Sequence, residues 1–314
     1  MPTAPTSPAR GAHSVVAGVV AGCVTRSCTS PLDVLKIIIQ VNGPAPRLSL
    51  LSSSAALAST SAPSALVRTV RELYSLEGVR AFWRGNAAGC CRLGPYAGAK
   101  FFIFDALQER MAASGELSNG QRALCGAAAG LVATMGTYPL EVVRTRMITQ
   151  SARHIRGVAH GLRSITRAEG LRGLYRGGCS GIVGAIPFEG AQFGCYEYLK
   201  LTARDQQWPR WRWPAGKTEL DALDFLVCGS LAGAVGQTVA YPFDTVKKRL
   251  QAQALGSGEH YYSGSFDCVR RVVRDEGVLA LYRGTLPNLA RIVPYAAVMF
   301  STFETTKRAL QALT

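Results

Sequence analysis

Acidic residues and histidines are scarce in this sequence, and no catalytic pattern accompanies them. There are 20 Asp and Glu against 35 Lys and Arg, which gives a formal net charge of +15. The four histidines lie in the N-terminal tail or in loop regions, without a nucleophile, metal-ligand or phosphate-binding-loop pattern beside them. They are His13, His154, His160 and His260. We therefore expect a protein that is not an enzyme and that has no metal site and no cofactor.

Paired cysteines and a secretory signal are also missing. The nine cysteines have no paired spacing and no Cys-x-x-Cys, which argues against a disulfide framework and against a zinc site. Residues 1–12 are rich in Pro, Ala and Ser, and no apolar stretch with a cleavage site follows them. We expect these residues to form a flexible N-terminal tail.

The excess of basic residues favours anionic partners, either lipid headgroups or a small anionic metabolite. Nucleic acid is not expected, because the Lys and Arg side chains lie at regular points along an apolar chain and none of the usual nucleic-acid-binding motifs occurs. The hydrophobic share of the sequence is 48%. This combination of cations and apolar sequence favours a membrane protein.

An internal repeat dominates the sequence. The pattern Pro-x-acid-x-x-base occurs three times, about one hundred residues apart, beginning at Pro31, Pro139 and Pro242. Each copy has the same surroundings: a preceding Gly-x-x-x-Gly, a later Glu-Gly, an aromatic-Arg-Gly and a second proline. The glycine pairs are Gly18 and Gly22, Gly126 and Gly130, and Gly229 and Gly233. Such pairs allow close packing of helices in lipid.

The repeat predicts an all-α membrane protein with six transmembrane helices, in three two-helix units about a pseudo-threefold axis, each unit with a short amphipathic helix. The helices are expected at 13–42, 86–108, 121–150, 178–200, 221–253 and 285–309. A bilayer crossing takes about 20 residues, so each is long enough. The expected organisation is a tail (1–12), repeat 1 (13–110, with a loop insertion at 43–65), repeat 2 (120–202), a linker (203–219) and repeat 3 (220–309).

Charged residues recur at both ends of the predicted bundle. In each first helix an acid and a base three residues apart share one face, so they can pair between repeats around the axis. We name this set the first charge ring, with the expected pairs Asp33–Arg144, Glu141–Lys247 and Asp244–Lys36. A second charge ring is predicted at the ends of the second helices, with the expected pairs Asp105–Lys200, Glu197–Lys307 and Glu304–Gln108. Two such rings favour alternating access, one closing each side.

These motifs resemble the mitochondrial carrier family (solute carrier family 25) over residues 13–309. The resemblance implies a monomer in the mitochondrial inner membrane, with both termini toward the intermembrane space and with cardiolipin among its lipid partners. It makes the first charge ring a matrix gate and the second a cytoplasmic gate. It also implies glutamine braces at Gln40 and Gln251. Ile148 replaces the third brace, and Ile38 replaces a base that the family usually has.

Substrate contacts in the family fall on the second helices, and here they correspond to Arg92, the pair Gly184 and Ala185, and Arg291. Arg26 falls where nucleotide carriers have a cavity cation. Lys100 is a further expected lining residue. Arg92 and Arg291 occupy equivalent repeat positions, where repeat 2 has Gly184; a small slot facing two guanidinium groups suits a flat moiety with an anionic group.

The resulting function is a carrier that exchanges a nucleotide-like or phosphorylated anion. Local strings are most similar to one orphan member of the family, and next to carriers of coenzyme A, adenine nucleotides and thiamine pyrophosphate. Two alternatives stay open. Ala185 is small and favours a carboxylate or amino acid cargo. A non-transporting membrane scaffold that kept the fold is the other alternative, although the nearly complete charge rings speak against it.

Overall fold

The computed structural model describes residues 8–41, 62–112, 118–150, 155–204, 222–253 and 262–312. Most of the predicted insertion, most of the predicted linker and most of the N-terminal tail lie outside these residues. The regular structure in the described ranges is helical throughout, so the expected all-α class is confirmed. Judged by hydropathy, no helix in these ranges is both long enough and apolar enough to cross a membrane.

Each repeat contributes a long first helix, a shorter helix and a second long helix. In the first repeat these are α1 (Pro8–Val41), α2 (Ala62–Glu77) and α3 (Asn86–Ala112). In the second they are α4 (Asn119–Thr149), α5 (Val158–Leu174) and α6 (Gly178–Arg204). In the third they are α7 (Ala222–Ala252), α8 (Ser265–Glu276) and α9 (Thr285–Ala312).

The glycines of the repeat mark the turns between the short helix and the second long helix. The glycines of Glu-Gly and of aromatic-Arg-Gly have φ between 68° and 88°, a region that residues with a Cβ rarely adopt. Those of aromatic-Arg-Gly also lie against the next repeat. A Cβ on Gly85 would stand 3.0 Å from the carbonyl oxygen of Arg144, and one on Gly177 would stand 2.9 Å from that of Lys247. The repeat spacing therefore fixes contacts between repeats as well as turns within them.

The long helices close into a ring. Each second helix packs along the first helix of the following repeat: α3 on α4, α6 on α7, and α9 on α1. Apolar clusters lie where α1, α4 and α7 end against the short helices; one of them joins Ile38 with Leu73, Ala81 and Ile148. The three first helices thus converge at one end. There, the spacing that the three repeats share brings their charged residues together.

Every long helix contains a proline, and in α1 a neighbouring side chain replaces the backbone hydrogen bond that the proline removes. Pro31 lies inside α1 and has no N–H for the carbonyl of Ser27. The indole Nε1 of Trp83 donates to that carbonyl at 2.9 Å. Trp83, the aromatic residue of the aromatic-Arg-Gly motif in repeat 1, therefore supports α1 at its proline.

The Gly-x-x-x-Gly pairs pack less closely than the sequence predicts. A Cβ on Gly22 would stand 3.0 Å from Leu93, as expected for close packing, and one on Gly126 would stand 3.7 Å from Phe104. The positions Gly18, Gly130, Gly229 and Gly233 face no atom within 4 Å. The prediction is wrong for these four, because the spacing places both glycines on one helix face but does not determine what that face contacts.

Buried arginines attach the short helices to the first helices of repeats 2 and 3. Arg146 is fully buried and binds both carboxylate oxygens of Glu169, at 2.6 and 2.9 Å. Arg249 binds Glu276 in the same way. In repeat 1 the equivalent residue is Ile38, so Glu77 binds Arg84 without a second arginine from α1. In repeat 1 the short helix is therefore attached to the first helix by apolar packing, whereas repeats 2 and 3 use a bidentate arginine–glutamate pair.

We expect Arg146→Ala to destabilise the protein strongly, because it leaves a buried carboxylate with one weaker partner. The loss should be about 3 kcal/mol, which corresponds to a thermal midpoint lower by roughly 5 °C or more. Thermal unfolding of the purified protein in detergent measures it. Arg308→Ala is the control, since Arg308 is 77% exposed and pairs with Glu304 at 3.4 Å. Equal losses for both variants would contradict the assignment.

A second expectation concerns Cys268 in α8. Its side chain is fully buried, and burial raises the pKa of the thiol to about 12. The thiol therefore stays protonated and weakly nucleophilic at pH 7 to 9. Maleimide labelling followed by mass spectrometry should modify exposed Cys179 well before Cys268 in the folded protein, and at similar rates after denaturation. Early labelling of Cys268 would show that α8 does not stay packed.

Candidate functional site

Three ion pairs join the repeats where the first helices converge. Asp33 in α1 accepts from Arg144 in α4 at 2.8 Å. Glu141 in α4 pairs with Lys247 in α7 at 2.7 Å. Asp244 in α7 pairs with Lys36 in α1 at 2.7 Å. The structure therefore brings together all six residues of the first charge ring, in the pairs expected from their spacing.

Two predicted substrate-contact arginines reach the same ring. Nη1 of Arg291 lies 2.7 Å from Oδ1 of Asp33, and Nη1 of Arg92 lies 3.3 Å from Oε2 of Glu141. Each guanidinium also stands over the aromatic ring one residue after its helix proline, Tyr96 for Arg92 and Tyr295 for Arg291. Asp244 has no counterpart of these arginines, because repeat 2 has Gly184 at the equivalent position.

Lys248 is a buried cation in the ring that sequence reasoning missed. Its Nζ lies 3.0 Å from Glu141 and 3.0 Å from the amide oxygen of Gln251, and its exposure is 9%. Repeat comparison overlooked it because the equivalent residues in the other repeats are uncharged. The run Lys247-Lys248-Arg249 was the available signal, since consecutive cations in an apolar helix are costly unless each has a partner.

The predicted braces both bind within the ring, by different routes. Nε2 of Gln40 donates to Asp244 at 3.3 Å. Nε2 of Gln251 donates to the hydroxyl of Tyr138 at 2.8 Å, and its amide oxygen accepts from Thr145 at 2.9 Å. Ile148 is fully buried in the apolar cluster, so it makes no polar link at the third position.

Arg26 and Arg144 lie close together over a notch in α3. A Cβ on Gly89 would stand 2.8 Å from Nη1 of Arg26 and 3.2 Å from Nε of Arg144. Within the described ranges no carboxylate lies within ion-pair distance of Arg26, and Nε of Arg144 is buried without a hydrogen-bond partner. Two like-charged guanidinium groups side by side favour an anion between them. Lys100, the remaining predicted lining residue, is exposed on α3.

Counting the ring and its neighbours gives a large excess of positive charge. Three carboxylates face seven cations, so four positive charges are uncompensated within the described residues. The cations are Arg26, Lys36, Arg92, Arg144, Lys247, Lys248 and Arg291. Uncompensated charge of one sign in a confined site is unfavourable unless a counter-ion enters. The site is therefore electrostatically suited to an anion with several charges.

A cavity of about 290 Å³ opens beside Gly184 and Ala185. Its lining includes Phe188, Phe243 and Gln237. Gly184 does not itself provide the expected slot, because a Cβ there would stand 2.6 Å from Cβ of Phe243. The glycine instead allows α6 to pack on α7, and the cavity lies next to this contact.

The expected pairs of the second charge ring are not formed in this structure. Glu197 pairs with Lys200 of its own helix at 3.7 Å, and Glu304 pairs with Arg308 of its own helix at 3.4 Å. Asp105 is exposed and forms no ion pair with a described residue. Asp105–Lys200, Glu197–Lys307 and Glu304–Gln108 are thus corrected for this conformation. The reason is that α3, α6 and α9 pack on first helices rather than on one another.

The fold and the three-way ring are those of a membrane solute carrier, and comparison with known proteins identifies the family. The family described as "Mitochondrial carrier protein" matches residues 7–114, 115–207 and 219–313. The chain belongs to the mitochondrial carrier family, whose members are transporters rather than enzymes.

Three relatives illustrate the similarity. The chain is 34% identical to the mitochondrial adenine nucleotide transporter ADNT1 of Arabidopsis thaliana, over 95% of this chain and 86% of that protein. It is 35% identical to solute carrier family 25 member 43 of Danio rerio, over 92% and 78%. It is 31% identical to the member 43 of Mus musculus, over 95% and 82%. Member 43 is the orphan member that the local strings resemble, so that expectation is confirmed.

If the second charge ring closes during transport, Asp105→Lys should slow exchange by about tenfold, because it brings two like charges together at Lys200. Adding Lys200→Asp restores the opposite charges and should recover most of the rate. The measurement is exchange in proteoliposomes of whichever anion the wild-type protein carries. Asp275→Lys, in an exposed part of α8, is the control. A double variant as slow as the single one would contradict the pairing.

Proposed function

We propose that this carrier exchanges a phosphorylated, nucleotide-like anion across the mitochondrial inner membrane by alternating access. The observation that carries the proposal is the excess of four positive charges around the first charge ring. A monovalent cargo leaves most of that charge uncompensated, whereas a di- or triphosphate offsets it. Phosphate oxygens also accept the bidentate hydrogen bonds that guanidinium groups offer.

Arg92 and Arg26 are the residues we assign to the first contact with the phosphates. Arg92 is 22% exposed, and its partner Glu141 also binds Lys247 and Lys248. Glu141 therefore stays paired when Arg92 turns toward a substrate. Arg26 has no carboxylate to leave among the residues that the structure describes. Arg291 is held more closely, at 2.7 Å from Asp33, and Asp33 has one other partner, Arg144.

The cavity beside Ala185 is the proposed site of the flat part of the substrate. Phe188 and Phe243 offer faces for stacking, and the amide of Gln237 offers both a donor and an acceptor. The name of ADNT1 specifies adenine nucleotides for that relative, which makes ADP and ATP the first substrates to test. Coenzyme A and thiamine pyrophosphate combine the same two features.

In this proposal the first charge ring is the matrix gate, the second is the cytoplasmic gate, and both termini face the intermembrane space. Gln40 and Gln251 brace the closed matrix gate. The structure then corresponds to a state closed toward the matrix, with the opposite gate unpaired. The protein acts as a monomer, and anionic lipids such as cardiolipin bind its basic surface.

Two other functions remain as alternatives. A carboxylate or amino acid carrier is favoured by the small side chain of Ala185, but it leaves the charge excess without a counterpart. A non-transporting scaffold needs no gates, yet all three pairs of the first charge ring are formed at 2.7 to 2.8 Å. Maintaining three buried ion pairs is costly for a protein that never opens them.

Exchange of labelled anions by proteoliposomes tests the proposal. We expect wild-type protein to exchange at least one of ADP, ATP, coenzyme A and thiamine pyrophosphate. Arg92→Gln should weaken the apparent affinity by about tenfold or more, because it removes a charge-assisted hydrogen bond. The control is Arg308→Gln, whose side chain is 77% exposed.

Exchange of a carboxylate or an amino acid, with none of the four phosphorylated compounds exchanged, would reject this substrate class. No exchange of any compound in the panel would favour the scaffold.

A further inference from the structure

The contacts between the three first helices are unequal where the first charge ring closes. We name them the α1–α4, α4–α7 and α7–α1 seams. Three positions of the repeat contribute side chains to each seam: the residue before the proline, the seventh after it and the ninth after it. The first set is Ser30, Tyr138 and Tyr241; the second is Ile38, Arg146 and Arg249; the third is Gln40, Ile148 and Gln251.

Hydrogen bonds cross two of the seams at these positions. In the α4–α7 seam, Nε of Arg146 donates to the carbonyl of Gln251 at 3.0 Å, and Nε2 of Gln251 donates to Tyr138 at 2.8 Å. In the α7–α1 seam, Nε of Arg249 donates to the carbonyl of Gln40 at 3.0 Å, and Nε2 of Gln40 donates to Asp244. Lys248 adds two further bonds to the α4–α7 seam, to Glu141 and Thr145.

The α1–α4 seam lacks the whole set. Ile38 stands in place of the arginine, Ile148 in place of the glutamine and Ser30 in place of the tyrosine. Ile38 and Ile148 are more than one hundred residues apart in sequence, yet both replacements fall in the same seam. Ile38 and Ile148 lie in one apolar cluster, and the hydroxyl of Ser30 donates to Phe82 within its own repeat. Among the described residues, Arg144 with Asp33 is the single polar link between α1 and α4.

We propose that the matrix end opens first at the α1–α4 seam, and that Ile38 and Ile148 determine this order. The inference rests on the proposed alternating access. Apolar packing is non-directional, so α1 and α4 can slide while their isoleucines keep contact. Sliding along the other seams misaligns buried hydrogen bonds and leaves donors unpaired, which costs more. One ion pair must break at the α1–α4 seam, whereas several polar contacts must break at either of the others.

Hydrogen–deuterium exchange of the full-length protein in lipid nanodiscs, without substrate, tests this order. In wild type, amides in residues 36–41 of α1 and 144–149 of α4 should exchange faster than those in 247–252 of α7, which has polar seams on both sides. Exchange in α7 as fast as in α1 and α4 would overturn the proposal.

The variant I38R/I148Q gives the α1–α4 seam the arginine and the glutamine of the other two, and leaves Ser30 unchanged. An arginine at position 38 has an acceptor available in Glu77, which lacks the second arginine that Glu169 and Glu276 bind. Exchange at the ends of α1 and α4 should slow by about tenfold, with α7 unchanged. The matched control I38L/I148L keeps the seam apolar at the same volume and should exchange like wild type.

Equal slowing of all three helix ends, or no change, would overturn the proposal. I148Q alone introduces no charge, so it serves if the arginine prevents folding; it should slow the same two segments by a smaller factor. These readings need no cargo. A wild-type protein that exchanges none of the phosphorylated anions would therefore reject the proposed substrate class without affecting this result.

Discussion

Pairing of three carboxylates between repeats, two of them buried and Asp244 half-buried, is the constraint on which the rest of the structure depends. A carboxylate at the convergence of α1, α4 and α7 is costly unless a cation lies beside it. Each acid finds its cation on the first helix of another repeat, so no repeat can satisfy its own charge alone. The glycines at the start of α3 and α6 lie against the carbonyls of two of these cationic residues, Arg144 and Lys247. The same contacts therefore align the ring and close the helix bundle.

The ring acids and the substrate compete for the same arginines under the proposed function. Arg92 and Arg291 bind Glu141 and Asp33 in the closed ring, and both are also expected to contact the cargo, Arg92 first. An anion that takes both arginines removes one partner from each of two acids and weakens the closed state. Part of the binding free energy is thereby used to open the first charge ring. A ligand can shift this equilibrium only if it binds the open and closed states with different affinities. A separate binding site above the ring offers no such coupling.

The sequence predicts the three-repeat helical architecture well, because the spacing of residues along a helix determines which of them share a face. An acid and a base three residues apart share a face, so the three pairs of the first charge ring follow once the repeat is recognised. Asp105 and Lys200 follow the same logic, yet they do not meet, because α3 and α6 pack on first helices rather than on each other in this structure. Lys248 has no repeat equivalent, and Gly184 serves packing against Phe243. Contacts that break the symmetry, or that belong to one state, cannot be inferred from a repeat pattern.

Departures from the symmetry occur in different walls of the bundle. The cavity beside Ala185 lies between α6 and α7, next to the α4–α7 seam with its additional Lys248 contacts. The seam whose single polar link among the described residues is Arg144 with Asp33 lies between α1 and α4. A carrier has to hold its cargo while it parts its helices, and motion of the wall that holds the cargo would loosen it. A wall reinforced by hydrogen bonds next to the cavity, and a largely apolar seam between α1 and α4, separate these two requirements. A threefold architecture acquires this division through a few side chains at equivalent positions of the repeat.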